Sequence, residues 1–363
     1  MKTIVFLVEQ IVNMGPENVV LDICRCIDKS KYTPIVFSLR NEDAEKTIEH
    51  KFRELGIEIV HFGLGMLDQE LHTKKVARIV KKAYQEKGGY ILHAHTYHPQ
   101  LVASLMNGIN TVATIHNISG EDFVMKKGAI MGRYMKWRFD RTLSKMNCAV
   151  AISEYMMEYY SGMCNKIVKI PNGVSFKKDD MFDKEAFKHS IGIGTDKTVV
   201  VVTGSISDRK NVAYLVSEIK LSKKNFVCLI VGDGDKLEEC HRIVGGDSRF
   251  KFEGFRNNVA DYLSIADFYI SASKSEGLPL SVLEAINMGV PSLLSDIPPH
   301  KEIVANMNTK GVSCYHLAKG ELGVSFDNAL SNKYDHNAIS RRAYEVYSAQ
   351  VMTKKYETIY EQI

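Results

Sequence analysis

The stretch Phe268-Tyr269-Ile270-Ser271-Ala272-Ser273-Lys274-Ser275-Glu276-Gly277-Leu278-Pro279-Leu280-Ser281-Val282-Leu283-Glu284-Ala285 joins a short apolar run to a turn and the start of a helix. The run Phe268–Ser271 has the length and residue types of a buried strand. The segment Gly277–Ser281 has the composition of a turn at the mouth of a helix. A strand followed by a loop and a helix is the repeating unit of a parallel α/β sheet.

The same alternation of strands and helical segments runs through the whole chain. Segments with helical spacing, such as Val19–Asp28 and His72–Glu86, separate short apolar runs. The pattern restarts after a charged stretch at Ser175–Lys197, which predicts two doubly wound, Rossmann-like α/β domains. The predicted strands are Thr3–Val8, Thr33–Ser38, Ile57–His61, Ile91–His95, Thr111–His116, Ala149–Ile152 and Ile167–Ile170, then Thr198–Thr203, Phe226–Val231, Phe250–Glu253, Phe268–Ser271 and Pro291–Ser295.

Length and composition agree with two domains. A chain of 363 residues is too long for one ordinary core. Hydrophobic content of 45% and charged content of 25% are those of a globular protein. We predict an N-terminal domain at 1–173, a C-terminal domain at 174–345 and a terminal helix at 346–363.

Charge, cysteines and hydropathy exclude several classes of protein. A net charge of +4 is too small to indicate nucleic-acid binding. Seven irregularly spaced cysteines do not form a disulfide framework and fit a reducing cytoplasm. No apolar stretch is long enough to span a bilayer, and Glu9 and Gln10 interrupt the apolar start of the chain before a signal peptide could form.

Two carboxylates flank the Gly277–Ser281 turn. Backbone N–H groups at the mouth of a helix, together with the helix dipole, attract an anion. Glu276 and Glu284 can each accept hydrogen bonds from vicinal hydroxyls, so the segment could hold a phosphate between two polyols. The alternative is that both are ordinary surface charges near a helix start. The Gly-Leu-Pro-Leu turn and its position after a predicted strand favour a ligand site.

Several short motifs, in this order, resemble those of family 4 glycosyltransferases, which are retaining enzymes with the GT-B fold. The Glu276–Glu284 segment is the strongest of them. The others are Met14-Gly15-Pro16-Glu17, His93-Ala94-His95, Ala113-Thr114-Ile115-His116-Asn117, Ala151-Ile152-Ser153-Glu154, Ile170-Pro171-Asn172-Gly173-Val174, Gly204 through Asn211, Ile230-Val231-Gly232-Asp233-Gly234 and Phe252-Glu253-Gly254-Phe255.

The resemblance implies a cleft between the two domains, a terminal helix that crosses back to the first domain, and a role for each matching residue. Glu284 would accept hydrogen bonds from the nucleotide ribose and Glu276 would contact the donor sugar. The implied catalytic residues are His116, Lys210 and Glu276. The implied donor-binding residues are Gly15, Gly204, Arg209, Lys210, Gly277, Leu278, Pro279, Leu280, Ser281 and Glu284.

Lys210 is placed to stabilise the negative charge that develops on a leaving nucleoside diphosphate. The sequence departs from the family pattern one loop position after Gly204, where Ser205 stands in place of an arginine. Either Arg209 supplies the missing guanidinium, or phosphate binding is weakened. The alternative for Arg209 and Lys210 is a solvated helix N-terminus.

No metal or other cofactor is predicted. His93 and His95 have a spacing that suits metal ligands, but no third ligand accompanies them. Asp233-Gly234-Asp235 is interpreted as a turn after a strand. The glycines at Gly63 and Gly65 lack the third glycine of a dinucleotide-binding fingerprint.

The predicted function is retaining transfer of a hexose or N-acetylhexosamine from a nucleotide-diphosphate sugar, by default a UDP-sugar, to a hydroxyl of a glycan or lipid-linked acceptor in cell-surface polysaccharide synthesis. Two other functions stay open: a GT-B-fold sugar-nucleotide 2-epimerase, and a catalytically weak sugar-nucleotide-binding protein. Glu121 and Asp122 are the nearest N-domain candidates for a carboxylate nucleophile, whereas the resemblance favours front-face attack.

The expected location is the cytoplasm, at the inner face of the cell membrane. The basic segment Lys126–Lys145, which contains Trp137, could lie on an anionic membrane surface. The alternative is a solvated helix that packs on its own domain.

Overall fold

The computed structural model describes residues 1–44, 46–120, 123–124, 128–175, 181–194 and 196–363. The chain forms two compact units. The first comprises Met1–Gly173 together with Ala349–Ile363, and the second comprises Val174–Ser348.

The first unit is built on a parallel sheet with the strand order β3-β2-β1-β4-β5-β6-β7. Central strand β1 buries Ile4–Leu7 completely, so side chains pointing to either face of the sheet are covered. The strands are β1 (Lys2–Val8), β2 (Tyr32–Ser38), β3 (Glu58–His61), β4 (Gly89–His95), β5 (Asn110–Ile115), β6 (Cys148–Ala151) and β7 (Ile167–Lys169).

Helices of the first unit follow its strands along the chain. Helix α1 starts with a proline in its first turn, where no intrahelical N–H bond is lost. Helix α7 is capped by Ser153, whose hydroxyl accepts a hydrogen bond from the Met156 N–H. The helices are α1 (Gly15–Cys26), α2 (Glu49–Glu54), α3 (Met66–Leu71), α4 (Thr73–Glu86), α5 (Tyr97–Ala103), α6 (Ala129–Leu143) and α7 (Glu154–Tyr160).

The second unit has its own parallel sheet, with the order β10-β9-β8-β11-β12-β13. Its strands are β8 (Thr198–Thr203), β9 (Phe226–Val231), β10 (Phe250–Gly254), β11 (Phe268–Ser271), β12 (Ser292–Ser295) and β13 (Val312–Tyr315). Its helices are α8 (Lys184–Ser190), α9 (Val212–Ile219), α10 (Leu237–Val244), α11 (Val259–Ser264), α12 (Leu280–Asn287), α13 (Pro298–Met307), α14 (Glu321–Leu330) and α15 (His336–Tyr347).

The last helix, α16 (Ala349–Gln362), belongs to the first unit. The Asp28 N–H donates to Glu357 Oε1 over 2.7 Å. The side chains of Tyr356 and Tyr360 are completely buried. These contacts tie the end of the chain to the N-terminal sheet.

The predicted strands are confirmed to within two residues at either end. Strand β13 was not predicted, because it is short and Ser313 is exposed between buried Val312 and Tyr315. The predicted terminal helix is present, but the helical segment that contains it is divided into two helices at Ser348. At Ser348 the backbone is extended (φ −73°, ψ 152°) and pairs with Val174, so the first unit resumes at Ala349 rather than at residue 346.

Candidate functional site

Two glycines allow adjacent loops to approach each other at the carboxyl edge of the second sheet. Gly204 follows β8 with φ 120°, and Gly232 follows β9 with φ 153°. A Cβ atom on Gly232 would lie 1.9 Å from the Gly204 carbonyl oxygen, so only glycine allows this approach. The Lys210 side chain passes close to Gly204, because its Cε would be 3.3 Å from a Cβ at residue 204.

Arg209, Lys210 and Glu276 meet at this edge. Lys210 Nζ lies 2.8 Å from Glu276 Oε1, and the Arg209 guanidinium pairs with Glu276 Oε2. Arg209 Nη1 also donates to the Ser275 carbonyl over 3.0 Å. The Ser273 hydroxyl donates to Glu276 Oε1 over 2.9 Å. The structure thus joins three of the predicted site residues in one cluster.

Glu276 is ionised in this cluster. Burial alone would raise the pKa of its carboxyl, but the Lys210 ammonium and the Arg209 guanidinium lower that pKa to about 2. Two cations face one carboxylate, so the three charged groups carry a net charge of +1. The cluster is suited to attract an anion.

Helix α12 begins directly after this cluster. Its N-cap residue is Pro279, and no side chain caps the helix. Within the part of the chain that the structure describes, the N–H groups of Leu280 and Ser281 have no hydrogen-bond partner. The buried turn Gly277–Pro279 leads into this helix end, and half-buried Glu284 lies one turn further along. Open N–H groups at a helix N-terminus provide donors for an anion.

Tyr269 is buried within electrostatic range of both carboxylates. Burial, with smaller contributions from the Glu284 and Glu276 charges, raises the pKa of its phenol to about 12. Both carboxylates therefore lie close enough to Tyr269 to influence its pKa. The Tyr269 hydroxyl lies 3.3 Å from Thr203 Oγ1 at the end of β8.

His300 was not predicted from the sequence. It helps to hold the loop that carries Glu276 through hydrogen bonds that involve Ser295. His300 is completely buried, and its Nδ1 donates to the Ser295 carbonyl over 2.9 Å. The Ser295 hydroxyl in turn donates to the Ser273 carbonyl over 2.6 Å. Burial lowers the pKa of His300 to about 4, so the ring is neutral at pH 7. Its position in the first turn of α13, the helix that follows β12, was the available signal.

The predicted residues Gly15 and His116 lie in the first unit. Gly15 is the first residue of α1, and His116 follows β5. His116 lines a cavity of about 420 Å³, as do Met14 and Pro16 on either side of Gly15. The cavity is lined by both polar and apolar side chains. The polar ones include Glu17, Thr96, Gln100, His116 and Asn117, and the apolar ones include Met66, Phe123, Met135 and Phe139.

Some polar side-chain atoms of the residues that line this cavity have no hydrogen-bond partner among the described residues. Thr96 has φ 68° and ψ −178°, a conformation that is strained for a β-branched residue. Thr96 Oγ1 and Gln100 Oε1 are buried and make no hydrogen bond within the described residues. Strain and unsatisfied polar atoms in one cavity are typical of a ligand site.

Glu17 belongs to the Met14–Glu17 motif, but the sequence did not predict a role for it. It is 5% exposed, in the first turn of α1, and lines the same cavity. Burial, with a smaller contribution from Glu9, raises the pKa of its carboxyl to about 8. Glu17 is therefore largely protonated at pH 7 and can donate a hydrogen bond.

The remaining predictions concern other parts of the chain. Glu121, Asp122, Lys126 and Lys127 lie outside the described residues. The Asp233 carboxylate accepts a hydrogen bond from the Gly234 N–H over 2.7 Å, as in a turn. Across the described ranges, no three His, Cys, Asp or Glu residues cluster as metal ligands would, and no helix has the length and apolar character to cross a bilayer.

Two family models match the chain, one in each half. The model described as Glycosyltransferase Family 4 matches residues 14–178, and the model described as Glycosyl transferases group 1 matches residues 183–346. The chain belongs to the family 4 glycosyltransferases, as its motifs predicted.

Curated relatives and solved structures agree. The chain is 26% identical over 237 residues to the UDP-Gal:α-D-GlcNAc-diphosphoundecaprenol α-1,3-galactosyltransferase of Escherichia coli; the match covers 60% of each protein. It is 24% identical over 310 residues to TuaC of Bacillus subtilis, a putative teichuronic acid biosynthesis glycosyltransferase, covering 82% of this chain and 73% of TuaC. HepE of Anabaena, solved with UDP and glucose, matches with a TM-score of 0.80 and 16% identity over 100% of both chains. The predicted GT-B fold is confirmed.

Proposed function

We propose that this protein transfers a sugar from a nucleotide-diphosphate sugar to a hydroxyl of a glycan or lipid-linked acceptor in cell-surface polysaccharide synthesis. The observation that carries the proposal is the convergence of Lys210, Arg209 and Glu276 beside the open N-terminus of α12. This arrangement offers cations, backbone N–H groups and a carboxylate to a ligand that combines phosphate with sugar.

Lys210 and Arg209 are proposed to bind the diphosphate of the donor. The net charge of +1 in their cluster attracts a dianion, and binding would draw both cations away from Glu276. Glu276 would then be free to accept hydrogen bonds from the hydroxyls of the donor sugar. As the glycosidic bond breaks, the fixed ammonium of Lys210 stabilises the growing charge of the leaving diphosphate. In this scheme Arg209 supplies the guanidinium that Ser205 does not.

The proposed donor is a UDP-sugar of the hexose or N-acetylhexosamine type. The E. coli relative is named for UDP-galactose, and HepE was solved with UDP-glucose as well as with UDP and glucose. Glu284, which acts on Tyr269 together with Glu276, is proposed to accept hydrogen bonds from the ribose. No metal is proposed, because the cations of the cluster neutralise the diphosphate.

Retention of the anomeric configuration is proposed to follow from front-face attack. The leaving phosphate takes the proton of the acceptor hydroxyl as the new glycosidic bond forms. This route needs no carboxylate nucleophile beneath the sugar, unlike a double displacement.

The acceptor is proposed to bind in the cavity of the first unit. Glu17, Thr96 and Gln100 can hydrogen-bond sugar hydroxyls, while Phe123, Met135 and Phe139 form an apolar wall. An acceptor with both sugar and lipid character fits such a lining, and the E. coli relative is named for an acceptor on diphosphoundecaprenol. Peripheral contact with the inner face of the cell membrane through α6 belongs to the same proposal.

The test is donor turnover with a matched pair of variants. Purified protein is incubated with UDP-sugars, with and without a lipid-linked acceptor, and UDP and product are quantified with and without EDTA. We expect UDP release and an α-linked product in the wild type, and a strong loss in Lys210→Ala. Lys274→Ala, an exposed lysine in the adjacent loop, is the control. An isomerised nucleotide sugar without UDP release would identify an epimerase instead, and binding without turnover would identify a binding protein.

A further inference from the structure

The imidazoles of His95 and His116 are hydrogen-bonded to each other. His95 Nδ1 lies 2.9 Å from His116 Nε2, and the two ring centroids are 5.2 Å apart. One nitrogen must donate and the other must accept. Which one donates decides where His116 carries its proton, and His116 lines the cavity of the first unit.

The surroundings of His95 settle the direction of this bond. His95 is completely buried, and its other nitrogen, Nε2, has no hydrogen-bond partner among the described residues. Burial holds the pKa of His95 well below its usual value, so its ring is neutral and carries one proton. A proton on Nε2 would leave a buried N–H unpaired, which costs more than an unpaired lone pair. The proton therefore lies on Nδ1 and is donated to His116.

His93 cannot supply the missing partner to His95, because both of its own nitrogens are engaged. His93 Nδ1 lies 2.7 Å from the Tyr360 hydroxyl, and Nε2 lies 2.8 Å from Thr114 Oγ1. The His93 ring packs against His95 with centroids 4.3 Å apart. The bond to Tyr360 on helix α16 engages His93 only, so His95 Nε2 stays without a partner in the described ranges.

We propose that His95 is a positioning residue that keeps the proton of His116 on Nδ1, so that His116 donates a hydrogen bond to an oxygen of the ligand and does not act as a general base. His116 Nε2 is occupied by the His95 proton, and Nδ1 already carries a proton. Neither nitrogen of neutral His116 is then available to take the proton of an acceptor hydroxyl. Within the described part of the chain, His116 Nδ1 has no other partner.

Burial supports this assignment, since it lowers the pKa of His116 to about 3 and keeps the ring neutral at pH 7. The oxygen that receives the bond belongs to a sugar hydroxyl, a sugar ring or a phosphate. The functional part of this inference rests on the proposed glycosyltransfer. The position of the proton is a property of the protein without substrate and is testable separately.

The decisive measurement is the tautomer of His116 in the substrate-free protein. Histidine labelled with ¹⁵N is observed by long-range ¹H–¹⁵N correlation at pH 7.5, with His116 assigned by loss of its signals in His116→Gln. We expect a protonated Nδ1 and an unprotonated Nε2. A protonated Nε2 on His116 would overturn the proposal, whatever the outcome of the activity assays.

Variants then test whether His95 sets this state. In His95→Asp, whose carboxylate accepts at the place where His95 donates, we expect His116 to place its proton on Nε2 and kcat/KM to fall roughly 10-fold or more, as when a partner that orients a functional histidine is lost. His95→Asn keeps an N–H donor near the Nδ1 position and should restore both. Tyr360→Phe removes only the bond to His93 and serves as the control. An unchanged His116 tautomer in folded His95→Asp would contradict the role given to His95; if that variant does not fold, the wild-type spectrum still decides.

Discussion

Lys210 Nζ and Glu276 Oε1 lie 2.8 Å apart, although the two residues belong to loops that follow different strands of the second sheet. Gly204 and Gly232 allow the loops after β8 and β9 to approach each other closely. Arg209 completes the cluster from the residue before Lys210. This arrangement holds two cations and a carboxylate next to the N-terminus of α12.

Replacing Lys210 with alanine should lower kcat/KM for donor turnover by about 10²–10³-fold, the usual effect of removing one group that stabilises developing negative charge. Steady-state kinetics of UDP release measure this directly. Lys274→Ala should stay close to the wild type. A loss of similar size in both variants would mean that general surface charge, rather than the Lys210 position, governs activity.

Glu276→Gln should destabilise the protein by about 1.5–3 kcal/mol, because it leaves Lys210 and Arg209 without their charged partner in a partly buried cluster. Urea unfolding at pH 7.5 checks this. Glu239→Gln, which breaks an exposed pair with Lys236, should change stability little. Equal effects of the two substitutions on the free energy of unfolding would show that burial does not strengthen the interactions of Glu276.

The pH dependence of stability should reveal Glu17. Its pKa is about 8 in the folded protein against an ordinary value of 4.5, so between these values the unfolded chain has lost the proton that the folded protein keeps. Wild-type stability should therefore fall as pH rises from 5 to 8, by at most roughly 1.4 kcal/mol per pH unit from this group. Because Glu17→Gln removes this titrating group, the Tm of the variant relative to that of the wild type should rise with pH.

Glu321→Gln, a substitution at an exposed glutamate in the first turn of α14, is the control for this series. It should give the same Tm difference at every pH. A constant difference for Glu17→Gln as well would show that the Glu17 carboxyl is ionised in the folded protein.

Helix α6 should bind anionic vesicles if it contacts the membrane. Trp137 is 55% exposed and stacks on exposed Tyr134 with ring centroids 6.3 Å apart, and Arg141 lies over its ring at 5.0 Å. Apolar and basic side chains on one helix suit an anionic bilayer surface. We expect co-sedimentation with phosphatidylglycerol vesicles that weakens in high salt and in Trp137→Ala.

Phe255→Ala offers a matched control for the vesicle experiment, because Phe255 is also 55% exposed but lies in the second unit. Its vesicle binding should equal that of the wild type. Equal binding of Trp137→Ala and the wild type would remove α6 as the contact.

The sequence predicted the two sheets well because parallel strands covered on both faces are continuous apolar runs, as in Thr198–Thr203. The sequence also predicted that Glu276 and Lys210 belong to one site, because each of them lies in a recognisable motif. It missed strand β13, whose short polar segment carries little periodic signal, and the break at Ser348, which depends on pairing with distant Val174.

The roles of His300 and Glu17 could not be predicted from the sequence for a related reason. Their environments are created by burial and by contacts with residues far along the chain or on other elements. The buried bond between His95 and His116 joins two strands in the same way. The pairing of Arg209 with Glu276 is also a tertiary contact, and the sequence left open whether Arg209 or a weakened site compensates for Ser205.

The most direct test of the central claim is thermal unfolding with a panel of nucleotide sugars for wild type, Lys210→Ala and Lys274→Ala. A ligand at 100 times its dissociation constant adds about 2.7 kcal/mol of apparent stability. We predict that one UDP-sugar stabilises the wild type and Lys274→Ala by such an amount, and Lys210→Ala far less. Stabilisation of Lys210→Ala equal to that of the wild type would contradict a diphosphate site built on Lys210 and Glu276.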